Sequence, residues 1–241
     1  LYLMNLIIGA SSGLGKSIAN YFSESGKTIL VSRRSINKTK ENITSLELDI
    51  NNDNLDLLYE KIKENQLSNV FFTVGIIDWE NDDIFLNYEK SEKIFQTNFL
   101  SIKKIVGELI KKKKFDTNCL ICFCSSVTTI LPRQRQIAYC AAKSALNSYY
   151  KSLSTYLYIN YPDYNFRVAN LILGYMDTEM NSKINLPFKK KNPNEIAQFL
   201  FKKKNTLNGN YYLPKYWFLI KIIVNLLPEK VVLKIIKTLN F

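Results

Sequence analysis

Leu6-Ile7-Ile8-Gly9-Ala10-Ser11-Ser12-Gly13-Leu14-Gly15-Lys16-Ser17-Ile18-Ala19-Asn20-Tyr21-Phe22 joins a short apolar run to a helical pattern through a glycine-rich turn. The apolar run suits a buried parallel strand, and the segment from Lys16 onward continues at helical spacing. With 8 glycines in 241 residues, a chance G-x-x-x-G-x-G match is expected about one time in a hundred. Glycines let the backbone turn tightly and approach a pyrophosphate, while the helix N-terminus presents free N–H groups and the positive end of its dipole. A glycine turn joining strand to helix with no ligand is the plainer alternative.

Outward from this turn, strand patterns alternate with helical ones, the signature of an α/β, Rossmann-like, doubly wound parallel sheet. Strands are predicted near 4–8, 28–32, 44–49, 69–74, 119–124, 167–173 and 209–213. Helices are predicted near 14–24, 54–65, 90–113, 137–160 and 194–203. Between Arg33 and Asp49 only a turn or two of helix fits. No repeat or linker divides the chain, so residues 1–241 read as one nucleotide-binding domain, with 214–241 as a short apolar helical extension.

Three Tyr-x-x-x-Lys matches occur, at Tyr59/Lys63, Tyr139/Lys143 and Tyr211/Lys215. Only Tyr139 and Lys143 follow an apolar strand carrying a serine, Ser126, thirteen residues before the tyrosine. Residues four apart share a helix face, so Tyr139 and Lys143 project together.

Together these residues resemble the short-chain dehydrogenase/reductase family, in its compact single-domain branch, from Met4 to about Tyr212. The resemblance implies an NAD(P)-dependent enzyme that reduces a carbonyl to an alcohol, or the reverse, with Tyr139 as general acid/base. It implies that Ser126 holds the substrate oxygen, with Ser125 as the rival. It also implies that Asn98, in Phe95-Gln96-Thr97-Asn98-Phe99-Leu100-Ser101, kinks its helix and anchors a relay water to Lys143. The nucleotide would lie on Gly9, Ser11, Ser12, Gly13, Leu14, Gly15, Asp49, Ile50, Gly75, Tyr139, Lys143, Gly174 and Thr178, Asp49 beside the adenine and Thr178 at the nicotinamide carboxamide. A lysine ammonium about 4 Å from the phenol, at an effective dielectric near 20, contributes about 4 kcal/mol, or about three pKa units. On that basis Lys143 is expected to bring Tyr139 close to working pH.

The second strand ends at Ser32, with no acidic residue to hold the ribose hydroxyls of NAD, and Arg33-Arg34 follows. A guanidinium forks onto a phosphate bidentately, so NADP(H) is favoured over NAD(H). Two positions depart from the family. Phe72-Thr73-Val74-Gly75 stands where Asn-Asn-Ala-Gly is usual, and Leu173 replaces the usual proline before Gly174. Alternatives to the reductase are sugar epimerase or dehydratase chemistry, and a catalytically silent NADP-binding sensor.

The net charge is +12, yet histidine is absent, arginine scarce and no nucleic-acid motif accompanies the charge, so no nucleic-acid partner is expected. The lysine runs 111–114, 189–191 and 202–204 read as solvated faces. Cys119, Cys122 and Cys124 fall on one apolar strand, with Cys140 beyond it. Neither a second cysteine pair nor a histidine completes a zinc site, so no metal is expected, and reduced thiols suit a cytoplasmic protein. Nothing at the N-terminus resembles a secretory leader, since the turn begins at Gly9, so none is expected, and Met4 reads as a start. The tail interleaves apolar runs with Lys221, Lys230, Lys234 and Lys237. Neither run reaches the roughly 20 residues needed to span a bilayer. Peripheral contact with the inner face of a membrane, Tyr216 and Trp217 lying at headgroup depth, is one expectation for it. Packing on the body or across a homo-oligomer interface is the other. The substrate is expected to be a small or lipid-linked carbonyl or alcohol.

Overall fold

The computed structural model describes residues 4–36, 40–64, 66–77, 87–178, 188 and 190–238. Residues 1–3, Lys189, the segment after Thr178 and the last residues of the tail, all read above from sequence, lie outside the described residues. Seven strands, β1 (Met4–Ile8), β2 (Lys27–Ser32), β3 (Ile43–Glu47), β4 (Leu67–Phe72), β5 (Phe115–Ser126), β6 (Arg167–Leu173) and β7 (Gly209–Leu213), form one sheet in the order β3-β2-β1-β4-β5-β6-β7. Every pairing is parallel.

Parallel strands covered on both faces must be apolar on both faces, and these are. Ile7, Phe71 and Cys122 turn toward α1 (Gly13–Phe22) and α6 (Pro193–Lys203), packing with Leu14, Ile18, Ile196 and Leu200. Their chain neighbours Ile8, Phe72 and Phe123 turn the other way, toward α2 (Asp56–Lys61), α4 (Ser101–Lys111) and α5 (Ile137–Asn160). Strand order reverses between β1 and β4, and the carboxyl ends of the strands there open the crevice in which such sheets bind ligands.

Three elements differ from the sequence expectation. The helix read at 54–65 is only α2, because Ile62 turns extended (φ −103, ψ 112) to enter β4. The helix read at 90–113 divides into α3 (Tyr88–Phe95), a π-helical turn at Gln96–Leu100, and α4. Strand β5 runs longer than 119–124 and carries Ser125 and Ser126 at its carboxyl end. The connection from β2 to β3 holds no helix among its described residues, in keeping with its short span.

The tail forms α7 (Tyr216–Leu226) and α8 (Glu229–Thr238), separated at Pro228. Trp217 is fully buried with Val127, Leu131, Ile172 and Tyr175. This corrects the placement of Trp217 at headgroup depth: the indole is a core anchor that fastens α7 to the body. Tyr216 beside it stays 37% exposed.

Candidate active site

The glycine turn takes a shape that side chains would block. Gly9 has φ +95, and a Cβ there would lie 2.6 Å from the backbone nitrogen of Val74. A Cβ on Gly15 would run into the Gly9 carbonyl oxygen and the Thr73 hydroxyl. Ser12 enters α1 in extended conformation and makes no side-chain cap, so first-turn amides remain available to an anion. Thr73 ties the ends of β1 and β4 together: its Oγ1 donates to Ile8 O (2.9 Å), and the Thr73 and Val74 amides donate to the same oxygen (2.9 and 3.0 Å). The sheet is therefore stitched across β1 and β4 despite the altered sequence.

At the far end of the turn, Ser32 Oγ donates to Arg34 O, and the Arg34 guanidinium reaches Ser11 Oγ at 3.5 Å. Arg33 and Arg34 are both exposed at the rim. Asp49 uses its carboxylate locally, accepting from Asn51 N (3.0 Å) and Asn52 Nδ2 (3.3 Å), which shapes the loop carrying the buried Ile50.

Ser126, Tyr139 and Lys143 converge beside this crevice, all more than nine-tenths buried. Ser126 shares a hydrogen bond with Tyr139, and its Oγ accepts from Thr128 N (3.2 Å). Ser125 Oγ is buried and makes no hydrogen bond, which separates the two serines by geometry. Lys143 Nζ donates to Cys124 O at 2.8 Å and lies 5.7 Å from the Tyr139 ring centroid. The electrostatic expectation is corrected here. Burial pushes the Tyr139 phenol up to about 12, opposed by the Ser126 hydrogen bond and the Arg133 charge. Burial also brings Lys143 down to about 8. Desolvation outweighs the pairwise attraction because both groups leave water together and the ammonium is held at a backbone carbonyl.

Asn98 sits in the π-turn with no exposed surface. Its Oδ1 accepts from Ile76 N and its Nδ2 donates to Ile76 O, each at 2.8 Å. It thereby fixes the chain after Gly75, where a Cβ would come 3.2 Å from Asn98 Oδ1 and 3.5 Å from Lys143 Nζ. Sequence reading did not single out Asn51, which donates to Thr97 Oγ1 (2.8 Å) and accepts from Ser101 Oγ (2.9 Å), tying the loop after β3 to the same π-turn. Its signal is weak, a lone asparagine two residues past an aspartate.

All but one of the residues singled out from sequence line one cleft of about 910 Å³: Gly9, Ser11, Ser12, Gly13, Leu14, Gly15, Ser32, Arg33, Arg34, Asp49, Ile50, Gly75, Ser126, Tyr139, Lys143, Gly174 and Thr178. Asn98 stands behind the wall. Lys16, Thr128, Arg133 and Tyr175 line it too.

Residues 4–187 match the short chain dehydrogenase family. The chain belongs to that family. It is an NAD(P)-dependent oxidoreductase by class. Among its relatives, an uncharacterized oxidoreductase of Saccharomyces cerevisiae, TDA5, is 28% identical over 73% of this chain, a match spanning 56% of the yeast protein. The 3-oxoacyl-[acyl-carrier-protein] reductase FabG of Buchnera aphidicola is 26% identical over 79% of this chain and 80% of its own. A short chain dehydrogenase from Burkholderia cenocepacia, solved in complex with NADP, superposes with a TM-score of 0.79 at 16% identity, covering 96% of this chain and 95% of the other. A 3-ketoacyl-(acyl-carrier-protein) reductase from Brucella melitensis, complexed with NADH, gives 0.73 at 20%, covering 88% and 96%. At these identities the structural likeness is one of fold.

Proposed function

We propose that this dehydrogenase reduces a carbonyl to an alcohol, or runs the reverse, with NADP(H), and that the sequence-assigned residues carry the roles given above. The observation behind this reading is the convergence of Ser126, Tyr139 and Lys143 on the cleft that also holds the glycine turn and Arg33-Arg34. The residues fit the nucleotide: two positions on the turn exclude a Cβ, the first turn of α1 is open, and β2 ends in a serine followed by two exposed arginines. Bound there, NADPH supplies the hydride and NADP+ accepts it. Ser126 orients the substrate oxygen and Tyr139 gives that oxygen its proton. Burial that raises the phenol leaves it protonated at neutral pH, the state a proton donor needs. Lys143, held by Cys124 O, supplies positive charge beside the phenol as the proton leaves. Loss of NADPH absorbance with a carbonyl panel, absent in Tyr139→Phe, tests the reading. A variant that keeps turnover within about tenfold of wild type removes Tyr139 from the proton step.

Residues 1–241 are read as one domain, with the tail as a surface for peripheral contact. Among the described residues no helix is long and apolar enough to cross a membrane. Phe218, Leu219, Ile222, Ile223 and Leu226 of α7 are nevertheless exposed, with Lys221 between them and Lys230, Lys234 and Lys237 on α8. An apolar face rimmed by lysines suits an anionic leaflet. Flotation on anionic vesicles against neutral ones checks this, and concentration-dependent self-association without flotation assigns the face to a second copy instead.

A further inference from the structure

Two buried hydroxyls flank Ser126 on the cleft wall, those of Ser125 and Thr128, and neither makes a hydrogen bond. Ser125 precedes Ser126 on β5, where successive side chains face opposite sides of the sheet, so it is turned away from the side that holds Ser126. Thr128 is placed differently. It lies in the single 3-10 turn Val127–Thr129 that follows β5, and its amide donates to Ser126 Oγ at 3.2 Å. The short path from a threonine amide to its own hydroxyl keeps Thr128 Oγ1 within about 7 Å of Ser126 Oγ. The next residue offers a comparison within the same turn. Thr129 Oγ1 donates to Ser126 O at 2.8 Å, and Thr129 stands outside the cleft lining. One turn thus satisfies the threonine hydroxyl that faces the protein and leaves unsatisfied the one on the cleft wall. A buried hydroxyl without a partner costs stability, and a molecule bound in the cleft can supply that partner. Threonine passes between two staggered side-chain positions even in helical backbone, so Thr128 can present its hydroxyl without movement of the chain.

We propose that Thr128 is a substrate contact that sets specificity, its hydroxyl bonding a second oxygen of the substrate one or two carbons from the reacting carbonyl. This rests on the reading of Ser126 as the group that holds the carbonyl oxygen. Two hydrogen bonds of about 2.8 Å, one from each hydroxyl, span the gap between Ser126 and Thr128 for oxygens so spaced. A hydroxyl both donates and accepts, so the second oxygen is a hydroxyl or a carbonyl. Hydride goes to the carbonyl carbon and the proton to its oxygen, as described above, and the second oxygen is unchanged.

The test compares kcat/KM of the full chain with NADPH on matched sets of four to about ten carbons: 2-alkanones, the corresponding 1-hydroxy-2-alkanones and 4-hydroxy-2-alkanones, and 2,3- and 2,4-alkanediones. Wild type is expected to favour one oxygenated set about tenfold over the plain ketones, and the set that responds tells hydroxyl from carbonyl. Thr128→Val should erase that ratio while holding the rate on plain ketones within about twofold, and Thr128→Ser should keep most of it. Thr129→Val should leave the ratio intact whatever it does to the rates. The nucleotide-free proteins supply a second readout: the melting temperature should fall in Thr129→Val, which loses a hydrogen bond, and should not fall in Thr128→Val. No preference in wild type, a preference that survives Thr128→Val, or an equal loss on every substrate overturns the proposal. So does a melting temperature lowered by Thr128→Val, since that marks a hydroxyl paired within the protein. Failure of the reductase reading is distinct: no carbonyl in any set is turned over. The same ratio is then read from the thermal shifts that the probes give the NADP+-saturated wild type and Thr128→Val proteins, where its absence or its survival in the variant again overturns the proposal.

Discussion

The indole of Trp217 occupies the space a side chain at Gly174 would need: a Cβ on Gly174 would lie 2.6 Å from Trp217 Nε1. The tail is thus keyed into the strand end that leads to Tyr175 and Thr178. Gly174→Ala should destabilise the protein by about 1–3 kcal/mol through overpacking. Trp217→Ala should cost about 3–5 kcal/mol. Denaturant unfolding measures both. Losses below about half a kcal/mol in both variants would show that α7 does not depend on this contact.

Lys143 offers a test of sign. Its folded pKa falls from the usual 10.5 to about 8, so the folded state disfavours the charged form. The penalty is fully present below about pH 8 and is relieved as pH rises toward 10.5, where the unfolded chain also loses its proton. Such a depression corresponds to about 3 kcal/mol at most, less the hydrogen bond to Cys124 O. Lys143→Met should therefore raise the melting temperature of the nucleotide-free protein at pH 7 while abolishing turnover. The stability gain should shrink as pH rises above 8. A gain that is constant across pH would remove the ammonium as its cause.

Turnover should follow the same groups. With Tyr139 near 12 and Lys143 near 8, reduction measured as kcat/KM should decline above about pH 8 as Lys143 discharges. A profile flat from pH 7 to about 10 would mean that the ammonium plays no part in the free enzyme.

Arg33 stands exposed at the rim of the cleft, and the proposed use of NADP(H) assigns it the ribose phosphate. Arg33→Ala should raise the apparent KM for NADPH by about tenfold or more and leave that for NADH nearly unchanged. Steady-state kinetics with the two nucleotides decide it, and a wild-type preference for NADH would reverse the assignment.

Asn98 should matter more than its distance from the reacting atoms suggests. Asn98→Ala leaves the half-buried N–H and C=O of Ile76 without their side-chain partner, a cost of about 1 kcal/mol. Calorimetric unfolding should register that loss, whereas an unchanged melting temperature would mean that water replaces both hydrogen bonds.

Much of this protein follows from short-range pattern. β1, α5, β6 and β7 begin and end where their apolar periodicity does, and the four-residue spacing of Tyr139 and Lys143 on α5 places both on one face. The glycine turn announces its own geometry, because only glycine tolerates the φ of Gly9 and the contact at Gly15. Local sterics and periodicity determine such features, and both are written in neighbouring residues. Tertiary structure alone decided the rest. Thr73 proved able to stitch β4 to β1 because its hydroxyl meets the carbonyl of a residue 65 positions away. The π-turn at Gln96–Leu100 draws its meaning from Ile76, which Asn98 grips across the cleft wall. Burial set the titration of Tyr139 and Lys143 against the direction that a charge pair in partial contact with water would take. It also chose Arg133 over Arg135 to face the cleft and turned Trp217 inward. Desolvation and long-range contact depend on which distant residues close over a group, and no local spacing encodes that.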